Sequence, residues 1–308
     1  LSRLDAFKDK TDVELGIEAS LAISYHLLDE RLQRYWRALA VFPGDFDELA
    51  AGSVWQLSAR EESDIVLDDL LAASMVQCER ITGRFRLHDL ARDYARARLS
   101  EEERAGDAQR HAAHYLEVLR CAEALFLKGG DSIVQGLALV DQEWANIRAG
   151  QAWVAAGDAA DKAVASLCNN YPDAGAYCLH LRLHSRERIA WLTSAVDAAR
   201  TLGDLPMEGN HLGSLGLAYA ELGDPLTAVC LYEKSLAIHR HIGDRFHEGA
   251  DLGNLGNAYA DLGEPGKAIL IFAEAFAIAR ENGDRRSEGI TLDCVGMACA
   301  DLGDLHRA

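Results

Sequence analysis

A motif that recurs every 40 residues constrains the fold more than any other feature of this sequence. It reads Leu-Gly-Leu-Ala-Tyr-Ala-Glu-Leu-Gly at 215–223, Leu-Gly-Asn-Ala-Tyr-Ala-Asp-Leu-Gly at 255–263 and Val-Gly-Met-Ala-Cys-Ala-Asp-Leu-Gly at 295–303. The glycine that closes each copy, followed in two of them by Pro225 or Pro265, predicts the end of one helix and the start of the next. Stacked helix pairs of constant length form solenoids, so we predict a mainly α fold with a helical array after residue 186.

Each unit resembles the tetratricopeptide repeat, in a longer form with extended helices. The resemblance rests on the Leu-Gly-x-x-Tyr core and on the pairs Ala228 or Ala268 and Tyr232 or Phe272. The third unit stops at the first residues of its second helix. A solenoid that ended there would expose an apolar face, so we expect the natural chain to continue.

A glycine stands in the middle of each predicted first helix, at Gly216, Gly256 and Gly296. Glycine in a helix interior costs about 1 kcal/mol relative to alanine. Close contact with a neighbouring helix is the expected reason for tolerating this cost.

The segment 83–96 marks the change from a different architecture. Phe85, Arg86 and Leu87 alternate as a strand does, and helical spacing begins at Leu87. Upstream of this segment, the pattern predicts a helix starting near Ser20, then helices at 30–41, 46–57 and 63–73, and hairpin strands at 75–78 and 85–87. Helices followed by one small hairpin follow the winged-helix plan. The helix after the hairpin is expected to pack against this domain.

Leu87-His88-Asp89 resembles the Met-His-Asp motif of NB-ARC proteins, which are signalling P-loop ATPases of the STAND class. The segments 19–25 and 40–43 extend the resemblance, and 141–149 resembles the start of the helical-repeat region in bacterial STAND regulators. The resemblance implies that His88 contacts the β-phosphate of ADP in the complete protein and holds a switch off. It also implies an upstream nucleotide-binding domain, ADP or ATP with Mg²⁺, and self-association on activation.

These observations divide the chain into a winged-helix regulatory subdomain (1–99), a helical connector with irregular helix pairs (100–185) and tetratricopeptide repeats (186–308). Within the connector, Ser100 begins a capping-box pattern that predicts a helix to about residue 127. A further helix is expected from Asp141, and a turn at 171–173. His111 and His114 have a spacing that can bind metal, but no third ligand is near in sequence, so solvated histidines are expected.

The net charge of -18 opposes binding to nucleic acids and to anionic membranes, because both are polyanions. In particular, the helix before the hairpin carries five acids and no base between Glu61 and Leu70. A recognition helix needs basic residues, so insertion into DNA is disfavoured. Seven scattered cysteines and the lack of a spanning apolar stretch favour a cytoplasmic protein.

No phosphate-binding loop of the form Gly-x-x-x-x-Gly-Lys-Ser/Thr occurs, since the segment 263–267 has the wrong spacing. We therefore expect this chain to be no enzyme, to bind neither ADP nor ATP by itself, and to hold no metal or other cofactor.

The partner site is predicted on the concave face of the repeats, which the first helix of each unit should line. The side chains expected to point inward there are Asn210, Ser214, Leu217, Glu221, Asn254, Asn257, Asp261, Asp293, Met297 and Asp301. Two amides at Asn254 and Asn257 share one helix face and suit an extended peptide backbone. The acid that recurs at one position favours a ligand with basic groups.

Three functions are consistent with these patterns. The first is a regulatory, ligand-sensing fragment of a STAND signalling ATPase, whose repeats bind a protein or peptide and whose winged helix couples binding to the upstream switch. The second is a stand-alone repeat adaptor without a nucleotide partner. The third is a DNA-binding transcriptional regulator.

Overall fold

The computed structural model describes residues 12–158 and 160–303. Over this range the chain is almost entirely helical and has a single two-stranded sheet, so the predicted mainly α class is confirmed. Two compact units, Leu1–Val154 and Ala155–Ala308, make up the chain. The three-part division of the sequence stays a prediction, and the expected start of the last repeat helix lies outside the described residues. No described helix is both long and apolar enough to span a membrane.

The first unit consists of helices around one short hairpin. In chain order its elements are α1 (Asp12–Leu27), α2 (Glu30–Ala38) with a 3₁₀ turn (Leu39–Val41), α3 (Glu48–Trp55), α4 (Arg60–Ala72), β1 (Gln77–Cys78), β2 (Phe85–Arg86), α5 (Asp89–Arg96), α6 (Glu101–Lys128) and α7 (Asp131–Ala156). The strands are antiparallel, with Gln77 opposite Arg86.

The helix predicted at 46–57 begins two residues late, because Phe46 belongs to the hairpin region. Phe46 and Phe85 exchange both backbone hydrogen bonds, each 2.8 Å long. Asp47 then caps α3 by accepting a hydrogen bond from the Ala50 N–H. The long-range bridge therefore fixes where this helix starts.

His111 is buried in the core, so the expectation that it is solvated was wrong. Only 2% of its surface is exposed, and its ring packs against Phe42 and Tyr115. Burial lowers the pKa of His111 to about 4, so the ring is neutral near pH 7. His114 is half-buried, and its Nδ1 lies 2.9 Å from Ser53 Oγ.

The two long helices of the connector lie close together. Ser100 forms the predicted capping box with Glu103 at the start of α6. The next helix, α7, begins at Asp131 rather than at Asp141. Gly136 lies within this helix, and a Cβ there would lie 2.5 Å from the carbonyl oxygen of Ala122. The glycine permits close packing of α7 on α6 and does not interrupt the helix.

The second unit is a series of helix pairs. Its helices are α8 (Lys162–Ala174), α9 (Ala176–Arg182), α10 (Ser185–Leu202), α11 (Leu205–Glu221), α12 (Pro225–Ile242), α13 (Arg245–Asp261), α14 (Pro265–Asn282) and α15 (Arg285–Asp301). The turn predicted at 171–173 was wrong, because Pro172 lies inside α8 and the chain turns at Gly175. Tyr171 is fully buried and holds this last turn of α8 against the core.

The predicted ends and starts of helices within the regular repeats are confirmed. Gly223 and Gly263 follow the first helices with φ values of 82° and 74°, which is the left-handed region that favours glycine. Pro225 and Pro265 occupy the first position of α12 and α14, where no backbone N–H is needed. These local signals repeat with the 40-residue period.

Mid-helix glycines allow the expected close contacts at two positions. A Cβ at Gly216 would lie 2.8 Å from Cε1 of Tyr232, and one at Gly256 would lie 2.4 Å from Cε1 of Phe272. Both aromatic rings are buried. The second helix of each repeat therefore packs an aromatic ring directly onto the backbone of the first helix.

Two glycines of α13 should respond to alanine in opposite directions. We expect Gly256→Ala to destabilise the fold by about 1–3 kcal/mol, because Phe272 must move. The matched change Gly253→Ala meets no atom within 4 Å and should stabilise by about 0.5–1 kcal/mol. Urea unfolding of both variants measures this difference, and a Gly256→Ala variant as stable as Gly253→Ala would contradict the close contact.

Candidate functional site

The first helices of the regular repeats adjoin one another, since α11 contacts α13 and α13 contacts α15. The residues predicted to form the partner site lie along these three helices. Most of them are exposed, namely Ser214, Leu217, Glu221, Asn257, Asp261, Asp293, Met297 and Asp301, while Asn210 and Asn254 are half-buried.

A cavity of about 210 Å³ opens between α13, α14 and α15. Asn254 and Asn257 both line it. Neither side chain forms a hydrogen bond with another described residue, so both amides can bind an incoming group. Asn254 and Asn257, which the sequence predicted to act as a pair, thus line the same cavity.

The rest of the cavity wall is mainly apolar. Phe246 and Ile290 line the cavity, and 64% and 53% of their respective surfaces are exposed. Hydrogen bonds from Ser287 lower the pKa of Asp284, which supplies a negative charge to the wall. Burial raises the pKa of Cys294, so that side chain is a neutral thiol. An apolar wall with a few polar groups is typical of a site that binds an apolar side chain and fixes its orientation.

The acid that recurs on this face is not equivalent in all three repeats. Glu221 Oε2 lies 2.6 Å from Nη2 of Arg188, a residue of α10, and 3.3 Å from Ser185 Oγ. Its charge is therefore already compensated within the protein. Asp261 and Asp301 are exposed at the corresponding positions and are better placed to attract a basic ligand.

Of the residues that line the cavity, the sequence predicted only Asn254 and Asn257 as site residues, and it missed Phe246, Ile290 and Cys294 among others. Ile290 stands 40 residues after Ala250 and 80 after Asn210, so the period does assign it to the inner face. The predicted set contained the apolar Leu217 and Met297 but not Ile290, although an exposed apolar residue is a useful sign of a binding surface.

His88 stands at the N-terminus of α5 in the first unit. Its backbone is extended, and its Nδ1 accepts a 3.4 Å hydrogen bond from the Leu90 N–H. The side chain is exposed. Its other ring nitrogen, Nε2, forms no hydrogen bond with a described residue and remains able to bind a ligand.

His88 is one of the residues that line a second cavity, of about 410 Å³. Its wall includes Arg86 and Arg92. Arg92 forms an ion pair with Asp89, whereas Arg86 has the neutral Gln77 as its hydrogen-bond partner. The charge of Arg86 is thus available to an anion, together with the free nitrogen of His88.

The acidic helix before the hairpin is α4. Glu61, Glu62, Asp64, Asp68 and Asp69 are all exposed on it. A phosphate backbone would be repelled along this whole surface.

Comparisons with known proteins agree with a helical-repeat architecture. The sequence model of the tetratricopeptide repeat family matches residues 252–286. A curated relative, the regulatory protein AfsR of Streptomyces coelicolor, is 34% identical over 131 residues, which are 40% of this chain and 13% of that protein. The chain thus matches only a small part of the length of this relative.

Among solved structures, a STAND protein with a tetratricopeptide repeat sensor from Pyrococcus horikoshii is similar with a TM-score of 0.34 and 13% identity. That similarity covers 95% of this chain and 56% of the other. A putative kinesin light chain with nearly identical repeats, from Podosopora anserina, has a TM-score of 0.43 and 15% identity over 68% of this chain and 91% of its own.

Proposed function

We propose that this chain is the regulatory and ligand-sensing part of a longer STAND-type signalling ATPase. In this proposal the first unit contains a winged-helix subdomain of NB-ARC type that contacts ADP held by an upstream domain. The repeats of the second unit bind a protein or peptide partner. The chain contributes no catalytic residue, and we place the protein in the cytoplasm.

The observation that carries this proposal is the position of His88. Its Nδ1 is used in capping α5, which fixes the ring, and its Nε2 remains free at a cavity beside Arg86. A histidine and an arginine at one cavity suit a phosphate group. The sequence resemblance assigns the same histidine to the β-phosphate of ADP. The similarity to a regulatory protein, which is confined to 131 residues, supports a regulatory role for this chain.

The partner proposed for the repeats is an extended peptide segment. Its backbone would bind the amides of Asn254 and Asn257, and an apolar side chain would enter the cavity beside Phe246 and Ile290. Basic groups on the segment would approach Asp261 and Asp301. Binding would therefore weaken as the salt concentration rises.

The switch role is tested by the dissociation rate of ADP from the complete natural protein. A hydrogen bond to a charged group contributes about 1.5–3 kcal/mol, so His88→Ala should release ADP roughly ten to a hundred times faster. Fluorescent ADP displaced by excess unlabelled ADP in a stopped-flow instrument gives this rate.

His184→Ala is the matched control for this experiment. His184 caps α10 with the same backbone conformation, and its Nδ1 accepts a hydrogen bond from the Arg186 N–H at 3.2 Å. Both variants therefore lose a helix cap, but only one loses the proposed phosphate contact. Equal ADP dissociation rates in His88→Ala, His184→Ala and the unaltered protein would show that His88 only caps α5 and does not contact the phosphate.

A further inference from the structure

A polar cluster at the junction of the first two regular repeats has no part in the proposed function. His239 lies in the last turn of α12, Asp244 caps α13, and His247 lies in the first turn of α13. One ring nitrogen of each histidine and one carboxylate oxygen of Asp244 all lie within 4.8 Å of one another. Among the described residues, this is the one group of histidine, cysteine and acidic side chains with such spacing.

The two histidines are specific to this junction. The equivalent positions of the neighbouring repeats, 40 residues before and after, carry side chains that do not form such a group: Ala199 and Met207 before, Ala279 and Ser287 after. The packing of one repeat on the next therefore does not require histidine at either position.

His239 is held in an orientation that suits a metal ligand. Its Nδ1 lies 2.7 Å from Oδ2 of Asp251, and both side chains are buried, with 1% and 4% of their surface exposed. A carboxylate beside Nδ1 fixes the proton there and leaves the lone pair on Nε2, as in carboxylate–histidine–metal arrangements. The same carboxylate oxygen lies 2.8 Å from Ser235 Oγ, which holds it in place.

The Nε2 atom of His239 is buried and has no hydrogen-bond partner among the described residues. A buried nitrogen without a partner is costly, so such an atom needs an explanation. Gly209 leaves room for it: a Cβ there would lie 2.6, 3.0 and 3.1 Å from Nε2, Cδ2 and Cε1 of the ring. These similar distances place Gly209 over the face of the ring, so it does not block the in-plane lone pair.

The other two side chains can reach the same ion. Asp244 Oδ2 and His247 Nδ1 lie 2.7 Å apart, and the rings of His239 and His247 are stacked with centroids 5.1 Å apart. A bound Zn²⁺ requires each ligand atom at about 2.0–2.2 Å. Binding requires the side chains of Asp244 and His247 to rotate until the three ligand atoms surround one ion, and both side chains are only partly buried, which leaves them room to do so.

We propose that His239, Asp244 and His247 bind one Zn²⁺ ion, with Asp251 as the positioning residue for His239. Two imidazoles and one carboxylate are a ligand set that zinc commonly takes, with water in the remaining position. The ion would join the end of α12 to the start of α13. It would thereby fix the angle between two successive repeats.

Calorimetric titration of the 308-residue chain with Zn²⁺ tests the proposal. We expect one saturable equivalent and a higher melting temperature with the ion present. His247→Ala removes a partly exposed ligand and should lower the affinity at least tenfold. His241→Ala, which removes an exposed histidine of α12 close to His239, is the control and should leave the affinity unchanged.

Cobalt provides a readout of coordination that folding alone does not change. Co²⁺ bound to the chain should show visible absorption bands of a four- or five-coordinate site, and Asp251→Asn should shift these bands and weaken Zn²⁺ binding about 10- to 100-fold. Absence of saturable binding overturns the proposal. So does binding that His247→Ala leaves unchanged, or that His241→Ala weakens equally, because the ion would then be adventitious.

Discussion

Replacing Glu143 with alanine is expected to destabilise the first unit by about 3–5 kcal/mol, because it leaves a buried arginine charge with too few partners. Glu143 forms two hydrogen bonds with Arg84, of 2.6 and 2.8 Å, and both side chains are at least nine-tenths buried. Burial by itself would lower the pKa of Arg84, but the hydrogen bonds and charges of Glu143 and Asp45 outweigh it and raise that pKa. An arginine guanidinium is effectively always protonated in proteins, so Arg84 stays charged when Glu143 is removed.

A double variant separates loss of the pair from loss of packing. Replacing both partners with apolar residues, as Arg84→Met with Glu143→Leu, should cost much less than Glu143→Ala, since no buried charge remains. The remaining partner of Arg84, Asp45, is half-exposed and can be solvated instead. Unfolding in urea, followed by circular dichroism, gives the three free energies. A Glu143→Ala cost below 1 kcal/mol would show that this pair does not hold the hairpin to α7.

Truncation of Tyr94 to alanine should cost about 3–5 kcal/mol, the range found for other buried aromatic side chains. Tyr94 is 5% exposed, and its ring packs against Tyr25 of α1 and Trp36 of α2, with centroids 5.9 and 6.2 Å apart. The guanidinium of Arg98 also lies over this ring, 3.2 Å from its centroid. Much apolar contact is therefore lost at once.

The same change tests whether α5 belongs rigidly to the helices before it. The control is Asp93→Ala, because Asp93 is the preceding residue of α5 and is exposed. Its substitution should change the unfolding free energy by less than about 0.5 kcal/mol. If Tyr94→Ala were as mild as this control, α5 would be loosely attached and unsuited to transmit a change from one element to the next.

Features encoded over a few residues could be predicted from the sequence. The glycine after each first helix, the proline that begins α12 and the capping box at Ser100 all act within one helical turn, so a local pattern was sufficient. The 40-residue period extended these local signals into a repeat. The sequence also predicted that Asn254 and Asn257 share one face of a helix, because residues three positions apart lie on the same side of it.

Features that depend on distant residues could not be predicted in this way. The Phe46–Phe85 bridge joins residues 39 positions apart and decides where α3 begins. His111 is buried because Phe42 and Tyr115 close over it, which helix periodicity alone does not show. Glu221 looked like a ligand-facing acid until its partner Arg188, on another helix, was known. In each case the deciding contact is one that only the tertiary fold creates.

The most direct test of the account is to map where a partner contacts the repeats of the complete natural protein. A photoreactive residue would replace one of two exposed alanines. Ala250 of α13 lines the cavity between α13, α14 and α15, whereas Ala277 lies on α14 outside that cavity. The account predicts protein crosslinks from position 250 and none from position 277. It also predicts that Asn254→Ala with Asn257→Ala weakens the crosslink about 5- to 100-fold, since two hydrogen bonds are lost. Crosslinks from position 277, or a crosslink at position 250 that the double change leaves unaffected, would contradict a partner site at Asn254 and Asn257 on α13.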